Sequence, residues 1–373
     1  MSTKGKDNVS TSGSGPLRLG HASLRSDSQF LTTLKLEVGY FTGRARQSRD
    51  VGGAGVILRF ARILPRRSGA FQPLESEEVT PRFLDRTVRA LKRWKYDFVT
   101  MDEVCRRAVI MPQRRRFVAL TFDGAYKDQF TAAYPILARH HVPFTLYIST
   151  AFPDGVGEPW QLALEKIIAK EKRFGLMING EEQHFQIRTV EQKYEVFEYI
   201  ARWMRRLPPP DLTAVLGDLC RRYSVDLAAL SRGTYMDWAD LDELAADPMV
   251  TFGSATVNYS PLSTLKDNVA LREMTMANAV VDAALHRGVS HFAYPFGDRD
   301  SFRRPHVMMA EDAGFASAAS TIAGIVEAEG RTNLRALPRI AWDGRMRSLR
   351  AMRVILSGAA FDPVMPTPSK PDL

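Results

Sequence analysis

At 373 residues and 45% hydrophobic side chains, the chain is long and apolar enough to bury a substantial core, as one large domain or one domain with an insertion. Lys and Arg number 51 against 42 Asp and Glu, and the net charge of +9 suits anionic partners in general, although no nucleic-acid-binding motif accompanies it. Two cysteines, Cys105 and Cys220, exclude a disulfide framework and a cysteine-held metal, and no apolar run approaches the roughly 18 residues of a membrane span.

The first 50 residues are rich in Ser, Gly, Thr and charge, without sustained periodicity or the apolar segment of a secretory signal. The expectation is a disordered or loosely docked arm on a cytoplasmic protein. Gly55–Phe60 is the first convincing strand. Thr80 and Pro81 open a helix over Arg82–Trp94, with the cap and first-turn proline a helix start favours. A short strand near Asp97–Thr100 and a helix over Asp102–Ala108 follow. The apolar run Phe117–Phe122 predicts a strand buried on both faces. Asp123 ends it, Gly124 allows a sharp turn, and helical spacing runs from Lys127 to about His140. Asp123 at that place either faces the ligand crevice of a strand–loop–helix fold or caps the next helix. Pro143–Ser149 is the next strand, and the alternation of strands with helices predicts a parallel α/β sheet.

From about residue 154 to 234 the alternation stops. A helix near Pro159–Glu171 precedes a hairpin over Phe174–Ile187, turning at Asn179-Gly180, and helices over Val190–Arg206 and Asp211–Tyr223. This mostly helical insertion is either a platform beside a site or a scaffold that shields the sheet. Alternation resumes with a helix over Trp238–Ala246, a strand at Met249–Gly253, a helix from Lys266 to His286 and a strand at Ser290–Tyr294. A helix over Arg303–Ala313, strands at Phe315–Ala318 and Leu337–Ala341, and a helix over Met346–Ser357 close the domain. Residues 359–373 form a proline-rich tail. Seven arginines between Arg331 and Arg353 include Arg347, Arg350 and Arg353 on roughly one helical face, read as a solvated face ahead of an anion-binding one.

Three stretches stand out in order: Thr121-Phe122-Asp123-Gly124 with Tyr126 and Asp128; Phe252–Leu262; and Phe292–Gly297. Together they resemble the first three motifs of the polysaccharide deacetylases with nodulation-protein-B homology, carbohydrate esterase family four, and within it the chitooligosaccharide deacetylases. The resemblance spans Gly55–Ser357. It implies a distorted β/α barrel over residues 51–358, with the insertion at its mouth and the site at the strand C-termini. It also implies hydrolysis of the N-acetyl carbon–nitrogen bond of amino sugars in an acetylated oligosaccharide or polysaccharide.

The resemblance gives Asp123 the role of general base, and puts Tyr294, Pro295, Phe296, Thr256 and Asn258 along the sugar groove. Phe296 would offer its backbone N–H to an oxyanion. The family uses a divalent metal such as zinc to polarise the acetyl carbonyl. Its three ligand positions fall here on Gly124, Ala255 and Tyr259, so no cofactor is expected. Glycine and alanine carry no donor, and a phenol is a poor zinc ligand at neutral pH. A late Leu-x-His-Asp motif is missing, leaving His306 as a weak candidate acid, and His291 reads as structural. Asp128 reads as a loop anchor. The competing expectation is a catalytically silent barrel that binds a glycan or protein partner. Replacing Gly124 by Asp, and Ala255 and Tyr259 by His, is expected to rebuild a metal site if the backbone follows the family's path. The oligomeric state is left open.

Overall fold

The computed structural model describes residues 53–110, 115–178 and 180–358. The expected N-terminal arm, the proline-rich tail and Asn179 of the expected turn lie outside the described residues.

The order of elements begins β1 (Gly55–Phe60), β2 (Arg62–Ile63), β3 (Glu78–Val79), α1 (Pro81–Arg93), β4 (Asp97–Phe98), α2 (Met101–Val109) and β5 (Phe117–Asp123). Thr80 caps the first helix as the sequence suggests, accepting from Phe83 N, and Thr100, expected at a strand's end, caps the second by accepting from Glu103 N. After β5 a single wide π-turn over Gln129–Ala133 leads into α3 (Tyr134–Arg139), where regular helical spacing had been expected throughout. Gln129 is buried there and its amide ties the turn to the strands, donating to Ala61 O at 2.5 Å and Asp123 O at 2.8 Å. β6 (Phe144–Ile148) follows, and then the insertion: α4 (Trp160–Lys170), the hairpin β7 (Arg173–Ile178) and β8 (Glu181–Gln186), α5 (Val190–Met204), α6 (Pro209–Arg222) and α7 (Leu227–Thr234). The last helix was not expected from the sequence, although Asp226 caps it by accepting from Ala229 N. The barrel resumes with α8 (Trp238–Ala245), β9 (Val250–Ser254), α9 (Asp267–Leu285), β10 (His291–Ala293), α10 (Arg304–Asp312), β11 (Ser317–Ala319), β12 (Ile340–Ala341) and α11 (Leu349–Leu356).

The main sheet is parallel, ordered β11-β10-β9-β6-β5-β1-β12, with β4 also paired to β5. Its ends are drawn together by Leu337, whose N–H donates to Ala318 O and whose carbonyl accepts from Ser320 N, both at 2.9 Å. The sheet is thereby curled into a barrel wrapped by helices, the α/β architecture expected.

Period-two alternation decides what faces the barrel axis. On β5, Val118, Leu120 and Phe122 pack outward among helix residues, whereas Phe117 and Ala119 pack in a second cluster with Ile57, Tyr147 and Leu337. Continuing the inward parity reaches Thr121 and then Asp123 at the strand's end. The same parity on β1 runs from Ile57 to Arg59. Tyr147 fills the axis, and Gly253 on β9 is what admits it: a Cβ there would lie 2.5 Å from the Tyr147 ring. The insertion has its own core, built on Leu164, Ile168, Phe174, Ile200 and Leu216, and Phe71, Leu74 and Phe296 pack against it from the barrel side.

Candidate functional site

Asp123 stands at the C-terminal end of β5, buried to 3% exposure. Two guanidinium groups hold it. Arg339, just before β12, is fully buried and approaches in a fork, Nη1 to Oδ1 at 2.7 Å and Nη2 to Oδ2 at 2.9 Å. Arg59 on β1 donates from Nε to Oδ2 at 3.0 Å and from Nη1 to Glu77 Oε2 at 2.5 Å. Burial pushes the Asp123 carboxyl up, but Arg339 and then Arg59 outweigh it, and the net shift is downward. Asp123 therefore stays ionised, with both oxygens engaged. Neither arginine was singled out from the sequence. Arg59 carried a signal, since a charge in a strand buried on both faces demands a partner.

Gly124 has φ +96°, and a Cβ at that position would lie 2.7 Å from the Tyr126 ring. Ala255 is buried at the end of β9, with its N–H bonded to Ile148 O at 2.8 Å. Tyr259 has φ +55° and packs against Phe296, with ring centroids 5.2 Å apart. Burial, and then the negative charge of Asp123, push its phenol up to about 12. Such a phenol stays protonated at neutral pH, Gly124 and Ala255 offer no donor atom, and Asp123 is saturated by arginine. These residues do not fit a divalent cation. The backbone also opposes the rebuilt site expected above, since an aspartate at position 124 would need a left-handed backbone and the space of the Tyr126 ring.

The expected groove residues separate. Asn258 and Phe296 line a cavity of about 510 Å³ that also exposes Arg59, Asp123, Gly124 and Tyr259. Asn258 is held by Glu273, its N–H donating at 3.1 Å and its amide at 3.0 Å. Thr256 lies behind the cavity, fully buried, and its hydroxyl has no partner among the described residues. Tyr294 is also buried, stacked on Phe302 at 4.1 Å and donating to Arg335 O at 2.7 Å, and neither it nor Pro295 lines the cavity. Asp128 anchors the loop, accepting from Arg62 Nε and Ile63 N, each at 2.6 Å. His306 accepts from Arg303 N at 2.9 Å at the start of α10, away from the cavity. His291 sits at the opposite end of the barrel, bonded to Ser317 Oγ at 2.9 Å and Asp102 Oδ1 at 3.2 Å.

The cavity's other wall is the insertion, which is thus part of the site. Trp160 and Gln161 of α4, and Phe197, Glu198 and Arg202 of α5, face the barrel mouth across it. One side carries a stack of three rings: Tyr235 lies 4.6 Å from Tyr126 and 4.0 Å from Phe152. On the other side Arg205 covers the Phe296 ring at 4.5 Å and reaches Asp298 at 2.5 Å. Arg350 and Arg353 on α11 are exposed, as a solvated face requires, while Arg347 lies just before the helix and reaches Glu75 at 3.4 Å. Arg353 also covers Trp94 at 5.6 Å, and Arg339 serves the site.

Solved structures share this architecture. A Streptococcus pyogenes deacetylase, PplD, in complex with acetate superposes with a TM-score of 0.53 and 17% identity, covering 81% of this chain and 99% of its own. IcaB from Ammonifex degensii gives 0.52 and 14%, covering 81% and 98%. BC0361, a polysaccharide deacetylase from Bacillus cereus, gives 0.51 and 12%, covering 80% of this chain and 68% of that one. The fold is that of the polysaccharide deacetylases. No family model matches the sequence, and no curated protein matches it. No described helix is long and apolar enough to cross a membrane.

Proposed function

We propose that this is a polysaccharide-deacetylase-like protein whose mouth binds an acetylated amino-sugar oligomer, with hydrolysis of the N-acetyl bond weak or lost. The observation that carries this reading is the double arginine clamp on Asp123. A general base must take up a proton near the working pH, and a carboxylate held below its ordinary range by two guanidinium groups is a poor one. The cavity between aromatic walls supports retained binding. Apolar ring faces with a few fixed polar groups are what a concave small-molecule site needs. Its place at the strand C-termini is where barrel folds carry their sites.

Acetate release from N-acetylglucosamine tetramer, assayed with and without added zinc, tests the chemistry. The expected outcome is release at least roughly a thousandfold below that of a metal-bearing deacetylase, as the loss of several kcal/mol of carbonyl polarisation implies. Rapid zinc-dependent release would overturn it. A second reading, residual hydrolysis with Asp123 as base, is favoured by one fact: Asp123 borders the cavity. It requires Arg59 to swing away when substrate enters.

A further inference from the structure

The whole chain is basic, at net +9, but the cavity is not: six carboxylates line it against four arginines. Three of the four arginines are also committed. Arg59 meets Asp123 and Glu77, Arg62 meets Asp128 at 2.6 Å, and Arg205 meets Asp298 at 2.5 Å. Arg339 behind the floor adds one positive charge, which Asp123 already faces. An entering anion would find three of the four lining arginines neutralised, with Arg202 the exception, and carboxylates in excess. A neutral oxygen would find a better reception. The Nε and Nη1 of Arg59 are used, but Nη2 donates to no described residue, and Arg59 borders the cavity. A guanidinium N–H held in place by two carboxylates is a preorganised, charge-assisted donor.

We propose that the cavity takes an uncharged sugar. Arg59 Nη2 donates to a carbonyl or hydroxyl oxygen of that sugar, and Glu77 neutralises Arg59 so that acidic sugars are refused. This deepens the glycan-binding reading above and rests on it.

The test is calorimetric titration of the full chain with N-acetylglucosamine tetramer and with a galacturonic acid tetramer. The wild type is expected to bind the acidic tetramer at least about tenfold more weakly than the neutral one. In Glu77→Gln the charge leaves while the shape stays. Affinity for the acidic tetramer relative to the neutral one should then rise about tenfold. Arg59→Lys should weaken the neutral tetramer about tenfold, because one ammonium cannot span Asp123, Glu77 and a ligand. If either variant fails to fold by circular dichroism, the wild-type comparison of the two tetramers decides alone. An acidic tetramer bound as tightly as the neutral one overturns the proposal. Neutral binding unchanged in a folded Arg59→Lys removes Arg59 from it and leaves the glycan reading standing. Binding of neither tetramer overturns the glycan reading and this inference with it.

Discussion

The two ends of the barrel both bury ionisable groups and treat them in opposite ways. At the N-terminal end His291 is 1% exposed, and its two ring nitrogens face Ser317 and Asp102. Burial lowers its pKa, so the ring is neutral and its hydrogen bonds are complete. Left-handed residues at that end, Lys95, His141 and His286, follow α1, α3 and α9, where a helix C-terminus accounts for them. At the C-terminal end Asp123 is ionised between two arginines. The left-handed residues there, Ala125, Tyr259 and Phe296, lie in strand-to-loop connections with no helix end to explain them. Backbone strain of this kind costs about 1–3 kcal/mol per residue and persists where the surroundings enforce it. Around His291 one end buries a satisfied neutral ring, while around Asp123 the other keeps charge and strain beside an open cavity. That asymmetry marks the C-terminal end as the candidate site.

The comparison breaks most sharply at Arg339. Replacing it by methionine leaves Asp123 buried with one partner, and urea unfolding should show a loss of about 3–5 kcal/mol. The double variant Arg339→Met/Asp123→Leu should recover most of it, because no lone charge remains. Gly124→Asp is the next largest, at about 1–3 kcal/mol, from the left-handed backbone and the collision with Tyr126. Combined with Ala255→His and Tyr259→His it should still titrate no zinc, reversing the expectation from sequence. Stoichiometric zinc in the folded triple variant would show that Tyr126 and Arg59 yield. At the other end His291→Gln should cost about 1 kcal/mol in hydrogen bonds at pH 8.

Acid separates the two ends more finely. His291 has a folded pKa below its unfolded one, so its contribution is complete above about pH 6.5 and is lost as pH falls from there. Asp123 also titrates lower when folded, and its contribution holds down to about pH 3.9 before falling away. Stability measured from pH 8 to 3 should therefore decline in two stages, and His291→Gln should shrink the first and leave the second, the rest of the first coming from His306, whose pKa burial also lowers.

Most of the architecture was legible in the sequence, because strand and helix periods are local properties. Gly55–Phe60 and Phe117–Asp123 lie where alternation and apolar runs put them, and the cap at Thr80 marks a helix start. The missed helix α7 had a local signal as well, the cap at Asp226. The site was legible only in part. Asp123 was found, but its partners come from positions 64 and 216 residues away, and sequence separation carries no distance. Arg339 was lost in a run of seven arginines, although it alone among them lies fully buried at the floor. Thr256 and Tyr294 match a motif's frame but lie buried just past the ends of β9 and β10, Tyr294 stacked on Phe302. The insertion's role as a cavity wall depends on tertiary packing, so the sequence left it open.

The central claim is that the mouth binds an amino-sugar oligomer through side chains alone, without a metal. Titration of the protein with N-acetylglucosamine tetramer, before and after exhaustive dialysis against a chelator, tests this most directly. Equal affinities in the two titrations are the predicted result. Affinity that disappears with the chelator and returns with added zinc would contradict the account.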